Sequence, residues 1–171
     1  RTEFIDEALD TFLASNAASG TQIVLIGAGY DTRAARYQAS GAAFYEVDLP
    51  EVTAMKSKMA KQLETSGSMM DGCTLGVDLN EAAVTPPGVF AQLELLGLDR
   101  QTPTLVVMEA VLLYLSPSAK RALLAEAGAF VSANAMSAVV LADNLSPFVS
   151  TTSATDTAAF LAPLMMMMMM M

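Results

Sequence analysis

The sequence predicts an α/β fold in which a parallel sheet is covered by helices on both faces. Five short apolar runs indicate strands, and apolar residues at helical spacing lie between them. The runs are continuously apolar, which is typical of parallel strands buried on both faces. Strands that alternate with helices of this length favour right-handed crossovers between parallel strands. The predicted strands are residues 22–26, 43–47, 74–77, 104–108 and 138–141.

A helix is expected before the first strand, because apolar residues recur there every three to four positions. Thr2 is the predicted N-cap, since its hydroxyl can accept a bond from a backbone N–H of the first turn. The inward face of this helix is predicted to carry Ile5, Leu9, Phe12 and Leu13.

A second helix is expected after the strand at 43–47. Its predicted buried face consists of apolar residues spaced by three, four and four, namely Val52, Met55, Met59 and Leu63. The lysines between them are expected to face water, namely Lys56, Lys58 and Lys61.

Two further helices flank the fourth predicted strand. The helix before the strand is expected to bury Val89, Leu93 and Leu96, with Gly97 just past its end. The helix after it begins at Ser116-Pro117, with a hydroxyl at the N-cap and proline in the first turn. Its buried stripe is predicted to be Ala119, Leu123, Ala127 and Phe130.

Composition excludes several classes of function. The 171 residues suit one domain, and 9 basic against 18 acidic residues give a net charge of −9, so no nucleic-acid partner is expected. The sequence has no histidine, which excludes Ser-His-Asp and Cys-His catalysis and histidine-ligated metals. Cys73 is the single cysteine, so an internal disulfide or a cysteine-rich zinc cluster cannot form. No metal site is expected.

The end of the sequence is unusual in composition. Residues 165–171 are all methionine and are interpreted as an artefact. The apolar stretch 158–171 contains Pro163 and is shorter than the roughly 18 residues of a membrane span, so no membrane is expected. We predict a core over residues 1–145, followed by a Ser/Thr-rich and then apolar segment, 146–164, that begins a truncated C-terminal part. The chain begins with arginine, so it is taken to start inside a longer reading frame, and a cytoplasmic location is expected.

Acidic residues lie at or near the end of every predicted strand. Ligands of parallel sheets lie beyond the carboxyl ends of the strands, where the strand order reverses. The acids therefore predict a polar ligand site along one edge of the sheet. The alternative is that they cap the helices that follow. They are Asp31, Asp48, Asp78, Glu109 and Asp143.

The turn after the first strand carries Gly27 and Gly29 but lacks the third glycine of a dinucleotide-binding turn. Thr32 stands in that position, and Asp31 before it would repel a diphosphate. Asp48 lies 19 residues after Gly29, where a carboxylate can accept both ribose hydroxyls. A nucleoside without phosphates is therefore expected, and S-adenosyl-L-methionine (SAM) is the common ligand of that kind. An NAD-type oxidoreductase is the alternative.

Five blocks of sequence resemble the leucine carboxyl methyltransferase family of class I SAM-dependent methyltransferases. They are Arg1-Thr2 with Ile5-Asp6, QIVLIGAGYDTR, FYEVDLPEV with Lys56 downstream, VDL, and PTLVVMEAVLLYLSP. The resemblance covers about residues 1–145. It implies a Rossmann-like, mostly parallel sheet of seven strands, of which five are visible here. It also implies that upstream helices and the last two strands complete the acceptor pocket.

The resemblance assigns four residues to the methionine part of the cofactor. It implies that Arg1 holds the carboxylate of SAM and that Gly27 and Gly29 pass under the methionine part. It also implies that Glu109 lies near the methionine amine. Asp31, at the mouth of the helix after the glycine turn, is expected to suit the ammonium and sulfonium of such a ligand.

Four further residues are assigned to the nucleoside and the reacting end. The resemblance implies that Asp48 binds the ribose and that Asp78 and Leu79 flank the adenine. It places Tyr114 near the reacting end, where Tyr114 and Glu109 are expected to position the reacting groups.

The expected reaction is methyl transfer from SAM to an oxygen of an acceptor. Members of the family methylate the C-terminal leucine carboxylate of the phosphatase 2A catalytic subunit, and others act on small molecules or in modified-tRNA synthesis. A carboxylate, with a pKa of about 4, needs no general base, so the missing histidine favours it. Arg33 is a candidate for steering an anionic acceptor, or else a helix residue salt-bridged to a nearby acid. A non-catalytic SAM-binding module is a further alternative.

Overall fold

A computed structural model of the chain describes residues 2–17, 20–62 and 73–143. Within these ranges it contains one five-stranded sheet, and every pair of neighbouring strands is parallel. The strands are β1 (Gln22–Ile26), β2 (Ala43–Asp48), β3 (Thr74–Gly76), β4 (Thr104–Glu109) and β5 (Ala138–Ala142). Each begins at its predicted residue and ends within one residue of its predicted end, so the parallel α/β prediction is confirmed.

The strand order is β3-β2-β1-β4-β5, which places β1 at the centre. The chain first builds outward from β1 through β2 and β3, and then returns to the other side of β1 for β4 and β5. The order therefore reverses between β1 and β4. In sheets of this kind the crevice at such a reversal is the usual place for a ligand.

Helices pack on both faces of the sheet, and each face has its own apolar cluster. On one face Ile23 and Leu25 of β1 pack with α1, while on the other Val24 and Ile26 pack with α5 and α6. The helices are α1 (Thr2–Ser15), α2 (Arg33–Arg36), α3 (Pro50–Gln62), α4 (Leu79–Ala82), α5 (Val89–Leu95) and α6 (Pro117–Val131). Two short 3-10 segments cover Gln38–Ser40 and Leu112–Tyr114. No helix in the described ranges is long and apolar enough to cross a membrane.

The predicted buried faces of α1 and α6 are confirmed. Thr2, the predicted N-cap of α1, is instead the first residue of the helix, and its hydroxyl donates to Glu109. The α1 residues Ile5, Leu9 and Phe12 are buried, and Leu13 packs beside them half-buried. In α6 the Ser116 hydroxyl accepts a hydrogen bond from the Ala119 backbone N–H at 3.2 Å. All four residues of the predicted α6 stripe are buried, namely Ala119, Leu123, Ala127 and Phe130.

The predicted orientation of α3 is wrong for Met55, Met59 and Lys56, whereas Lys58 and Lys61 are exposed as predicted. Met55 and Met59 are 48% and 46% exposed, whereas the Lys56 side chain is only 12% exposed. The Nζ of Lys56 lies 2.8 Å from Oε1 of Glu46, a β2 residue that is itself buried. A buried carboxylate requires a counter-charge, and this requirement outweighs the burial of two flexible methionines. Leu63, the last residue of the predicted face, lies outside the described residues.

The apolar stripe of α5 also differs in one residue. Val89 and Leu93 are buried as predicted, but Leu96 is 38% exposed. Phe90 takes its place and stacks on Phe130 of α6, with 5.0 Å between the ring centroids.

Burial raises the pKa of the Glu46 carboxyl, and the nearby Asp31 and Asp48 raise it further, while Lys56 offsets part of the shift. A raised carboxyl pKa means that the folded chain holds its proton to a higher pH than the unfolded chain does. The free energy of unfolding contributed by this group therefore falls as the pH rises from the ordinary glutamate pKa through the raised one.

We predict that Lys56→Met lowers the free energy of unfolding by about 3–5 kcal/mol at neutral pH, because it leaves a buried carboxylate without its partner. The loss should shrink in acid, where Glu46 is protonated. Urea denaturation over a series of pH values measures both effects. Lys58→Met, at an exposed position of the same helix, is the matched control, and equal losses in the two variants would contradict the prediction.

Candidate functional site

The register of the sheet brings the ends of three strands to one level. Ile26, the last residue of β1, pairs with Val47 of β2 and with Met108 of β4. Asp48 and Glu109 therefore leave the sheet level with the glycine turn that follows β1. This convergence lies at the reversal of strand order.

The glycine turn is fixed to the end of β2 by backbone bonds. The N–H groups of Gly27 and Ala28 both donate to the carbonyl oxygen of Val47, at 2.8 and 3.0 Å. Gly27 and Gly29 have φ angles of +70° and +47°, a region that residues with a side chain rarely adopt. The predicted turn is thus present, and its shape depends on both glycines.

The two glycines differ in what surrounds them. A Cβ atom at Gly27 would lie 2.5 Å from Cγ2 and 2.7 Å from Cβ of Val111, so the segment after β4 packs directly on the turn. A Cβ atom at Gly29 would meet no atom within 4 Å. Gly27 therefore permits close packing, whereas Gly29 faces open space at the edge of the sheet.

Asp48 is held against the glycine turn by two backbone bonds. Its Oδ2 accepts from the Gly29 N–H at 2.7 Å, and its Oδ1 accepts from the Leu49 N–H at 2.7 Å. The side chain is half-buried. Each carboxylate oxygen can accept more than one hydrogen bond. A fixed carboxylate with spare acceptor capacity is suited to bind a pair of neighbouring hydroxyls.

Asp31 and Glu109 are brought together by one guanidinium. Nη1 of Arg33 donates to Oδ2 of Asp31 at 2.5 Å and to Oε2 of Glu109 at 3.0 Å. Oδ1 of Asp31 also accepts from the backbone N–H of Arg33, the first residue of α2, at 2.7 Å. The two carboxylates are 18% and 20% exposed, so both remain open to one side.

Arg33 itself does not have the environment expected of a residue that steers an acceptor. Its side chain is 2% exposed and also bonds to Asp6 of α1, with 2.6 Å between Nε and Oδ1. The alternative interpretation, a salt bridge to a nearby acid, describes the geometry, although the guanidinium is buried and its acidic partners are partly exposed. A buried guanidinium whose donors already face carboxylates cannot also attract an anion from solution.

Arg33 and Asp6 stabilise each other's charged forms. Burial alone would lower the pKa of Arg33, but Asp6, Asp31 and Glu109 outweigh it and raise the pKa. Burial likewise raises the pKa of Asp6 by itself, but hydrogen bonds from Arg33 and Arg36 lower it overall. Arg33 and Asp6 are therefore both ionised around neutral pH.

Asp78 and Leu79 lie at the start of α4. Asp78 caps this helix, since its Oδ1 accepts from the Asn80 N–H at 2.8 Å, and Leu79 is buried. The Asn80 side chain donates to the Tyr114 carbonyl at 3.4 Å and accepts from the Ser116 N–H at 2.8 Å. The adenine-side segment predicted at Asp78 and the predicted reacting-end residue Tyr114 are therefore joined through one asparagine.

The remaining residues of interest at this edge of the sheet are two tyrosines and an aspartate. Tyr114 is 75% exposed and Tyr30, in the glycine turn, is 60% exposed. Oδ2 of Asp143 accepts from the Leu112 N–H at 2.7 Å, so this acid supports the chain after β4. Arg1 lies outside the described residues.

Two residues of α1 belong to this edge and were not predicted to do so. The Thr2 hydroxyl donates to Oε1 of Glu109 at 3.4 Å, and Asp6 binds Arg33 as described above. Thr2 and Asp6 are four positions apart, so they share one face of the helix. That spacing of two polar residues beside an apolar stripe was the available signal.

The arrangement gathers hydrogen-bond acceptors along one edge of the sheet. Asp31, Asp48 and Glu109 are all half-buried carboxylates at the ends of central strands. Fixed carboxylates of this kind suit ligands with hydroxyl and ammonium donors. In the part of the chain that the structure describes, no group of three or more His, Cys, Asp or Glu side chains is placed to hold a metal ion.

The chain is similar to known methyltransferases. A family model described as leucine carboxyl methyltransferase matches residues 1–128. The chain is 34% identical over 142 residues to a protein of Frankia alni provisionally named an S-adenosyl-L-methionine-dependent methyltransferase, which covers 82% of this chain and 46% of that protein. A protein of Streptomyces avermitilis with a similar provisional name is 35% identical over 130 residues, covering 75% of this chain and 42% of the relative.

A human relative has a different name. The chain is 33% identical over 138 residues to human tRNA wybutosine-synthesizing protein 4, with 68% of this chain and 20% of that protein covered. The chain thus spans less than half the length of each of these curated relatives.

We predict that Gly27→Ala lowers the free energy of unfolding by about 2–5 kcal/mol, because left-handed strain and overlap with Val111 add together. Gly41→Ala is the matched control, since Gly41 has a φ of +73° and open space around its missing Cβ. It should lose only the strain, about 1–2 kcal/mol. Denaturant unfolding of both variants measures the difference, and equal losses would show that the packing on Val111 contributes nothing.

Proposed function

This chain belongs to the leucine carboxyl methyltransferase family, and on that premise we propose that it binds SAM and transfers the methyl group to an acceptor oxygen. The observation that carries the proposal is the environment of Asp48. Its carboxylate is fixed by the Gly29 and Leu49 N–H groups at the reversal of strand order. This geometry supports the binding of a nucleoside ribose, because two neighbouring hydroxyls can donate to one oriented carboxylate.

The proposed binding mode uses the predicted residues. Asp48 accepts the ribose hydroxyls, and the open space at Gly29 admits the chain between the ribose and the amino-acid end. Glu109 faces the ligand amine. Arg1 holds the ligand carboxylate in this proposal, which the position of Thr2 beside Glu109 supports.

The adenine is proposed to lie between the end of β2 and the start of α4. Asp78 and Leu79 stand at that place, and the Asp78 carboxylate already caps α4. An apolar residue beside an acid suits a flat ring with polar edges, because the ring face packs while the edge donates a hydrogen bond.

The site is less suited to a dinucleotide. Asp31 stands at the start of α2, where a diphosphate would have to approach, although Arg33 offsets part of its charge. Helix α2 has only four residues, so its dipole offers little attraction for phosphates. Both features favour a ligand that lacks a diphosphate.

Bound SAM supplies a methyl carbon that its sulfonium has already activated for displacement. The residues of this chain then have to orient the donor and exclude water, and alignment of this kind can contribute about 7–11 kcal/mol. An acceptor carboxylate is ionised at neutral pH, so the absence of histidine from the sequence is compatible with the reaction. Exposed Tyr114 stands at the rim where the acceptor would approach.

The proposed acceptor is a carboxylate on a protein C-terminus, such as the terminal leucine of a phosphatase 2A catalytic subunit, or on a small molecule. The family to which the chain belongs takes its name from the first of these acceptors. As part of the same proposal the protein acts in the cytoplasm, which its single cysteine suits.

Two measurements test the function. Isothermal titration with S-adenosylhomocysteine and with NADH should give binding of the first and not of the second. Transfer of label from methyl-labelled SAM should then occur onto a peptide that ends in leucine carboxylate and not onto the same peptide with an amidated end. Binding of NADH in place of S-adenosylhomocysteine would overturn the proposal, and transfer to small carboxylic acids alone would place the acceptor among small molecules.

We predict that Asp48→Asn weakens S-adenosylhomocysteine binding by about 1.5–3 kcal/mol for each ribose hydrogen bond lost, because the amide nitrogen that replaces one carboxylate oxygen cannot accept a hydrogen bond. Asp99→Asn is the matched control. Asp99 also accepts from a backbone N–H, that of Gln101 at 3.0 Å, but it precedes β4 at the opposite edge of the sheet. Calorimetry of both variants checks the result, and an unchanged affinity of Asp48→Asn would show that the ribose lies elsewhere.

A further inference from the structure

The Arg33 guanidinium joins three separate elements of the candidate site. Nε donates to Asp6 of α1 at 2.6 Å, and Nη1 donates to Asp31 in the glycine turn and to Glu109 at the end of β4. Nη2 reaches the Thr2 carbonyl oxygen, also in α1, at 3.4 Å. All three nitrogens of the side chain are thus engaged, each with different groups.

This role requires arginine rather than any cation. A guanidinium presents five N–H donors in a rigid plane, so it can hold acceptors on several sides at once, whereas a lysine ammonium is a compact point charge on a flexible stem. The side chain is also 2% exposed. Water molecules could therefore take the place of the Arg33 partners only if this edge of the site opened.

Arg36, one turn further along α2, is an arginine that does not join several elements of the site, so it can be compared with Arg33. It is 46% exposed and bonds to Asp6 at 3.0 Å. Among the described residues, the two arginines of α2 therefore differ in burial and in whether they reach the glycine turn and β4. Of these two arginines, only Arg33 couples α1 to the carboxylates of the central strands.

We propose that Arg33 is a positioning residue that sets Glu109 and the start of α1 around the amino-acid end of the ligand. The inference rests on the proposed function, since it takes the ligand to be SAM or its product. Arg33 does not touch the ligand in this scheme. It acts by binding Oε2 of the Glu109 carboxylate through Nη1 and by holding the start of α1 beside it through Asp6 and the Thr2 carbonyl oxygen.

The proposed role of Arg33 predicts that its loss affects two related ligands differently. S-adenosylhomocysteine and 5′-methylthioadenosine share the nucleoside and the sulfur, but only the first has an amino-acid end. Loss of the Arg33 fork should weaken the first ligand and spare the second. A purely structural role would weaken both, because the Asp48 side of the site would be disturbed as well.

The experiment is a calorimetric comparison of both ligands on the unsubstituted chain, Arg33→Lys and Arg36→Lys. We expect Arg33→Lys to weaken S-adenosylhomocysteine by about tenfold or more and 5′-methylthioadenosine by less than about threefold. Arg36→Lys should leave both affinities near those of the unsubstituted chain. Equal weakening of the two ligands by Arg33→Lys, or no weakening of either, would overturn the inference and leave the proposed function standing.

Two further variants keep the result interpretable. In a Glu109→Gln background the Arg33→Lys substitution should cost less than it does alone, since both act on the same contact. If Arg33→Lys fails to fold by circular dichroism, Asp6→Asn loosens Arg33 from α1 instead and should show a smaller loss with the same selectivity, whereas an equal loss for both ligands would overturn the inference. An unsubstituted chain that binds neither ligand would overturn the proposed function, and the inference with it.

Discussion

The parallel pairing of β1 with both β2 and β4 is the constraint on which the rest of the structure depends. It places Ile26 level with Val47 and Met108, so the chain must leave all three strands at one height. The glycine turn, Asp48 and Glu109 meet there without any long connection. The order also reverses at this point, which is the usual place for a ligand in sheets of this kind. The carboxylates can therefore be close together and still be reached from outside.

A site built from carboxylates requires buried cations, and the chain has only 9 basic residues against 18 acidic ones. Two of the basic residues, Arg33 and Lys56, are largely buried, and each forms an ion pair with a carboxylate near the glycine turn. These pairs carry a desolvation cost, and their value lies in holding specific groups in place rather than in added stability. The mechanical consequence is that α1 and α3 are both tied by charge to the edge that the proposed ligand would occupy.

Much of the fold could be predicted from the sequence because its signals are local. Apolar runs locate the strands, Ser116 locates the start of α6, and the glycines locate the turn after β1. The charged contacts could not be predicted, since the partners of Arg33 lie as far away as Glu109, 76 residues along the chain. The helical periodicity predicted that Lys56 faces water, because it contains no information on the partner of Lys56 in β2, Glu46. Nor does any pattern indicate that Ala110, directly after Glu109, has a φ of +53°.

That backbone conformation shows how the inner and outer parts of the site differ. Ala110 takes a strained left-handed φ while its N–H donates to Ala142 of β5, and the next residue, Val111, packs on Gly27. The positions of the residues in the inner part are therefore fixed by backbone hydrogen bonds, close packing and ion pairs together. The outer rim is not, since Tyr30 and Tyr114 are mostly exposed. A fixed interior with an open rim suits the proposed function, because residues of the rim could change to fit an acceptor without disturbing the groups that would hold the donor.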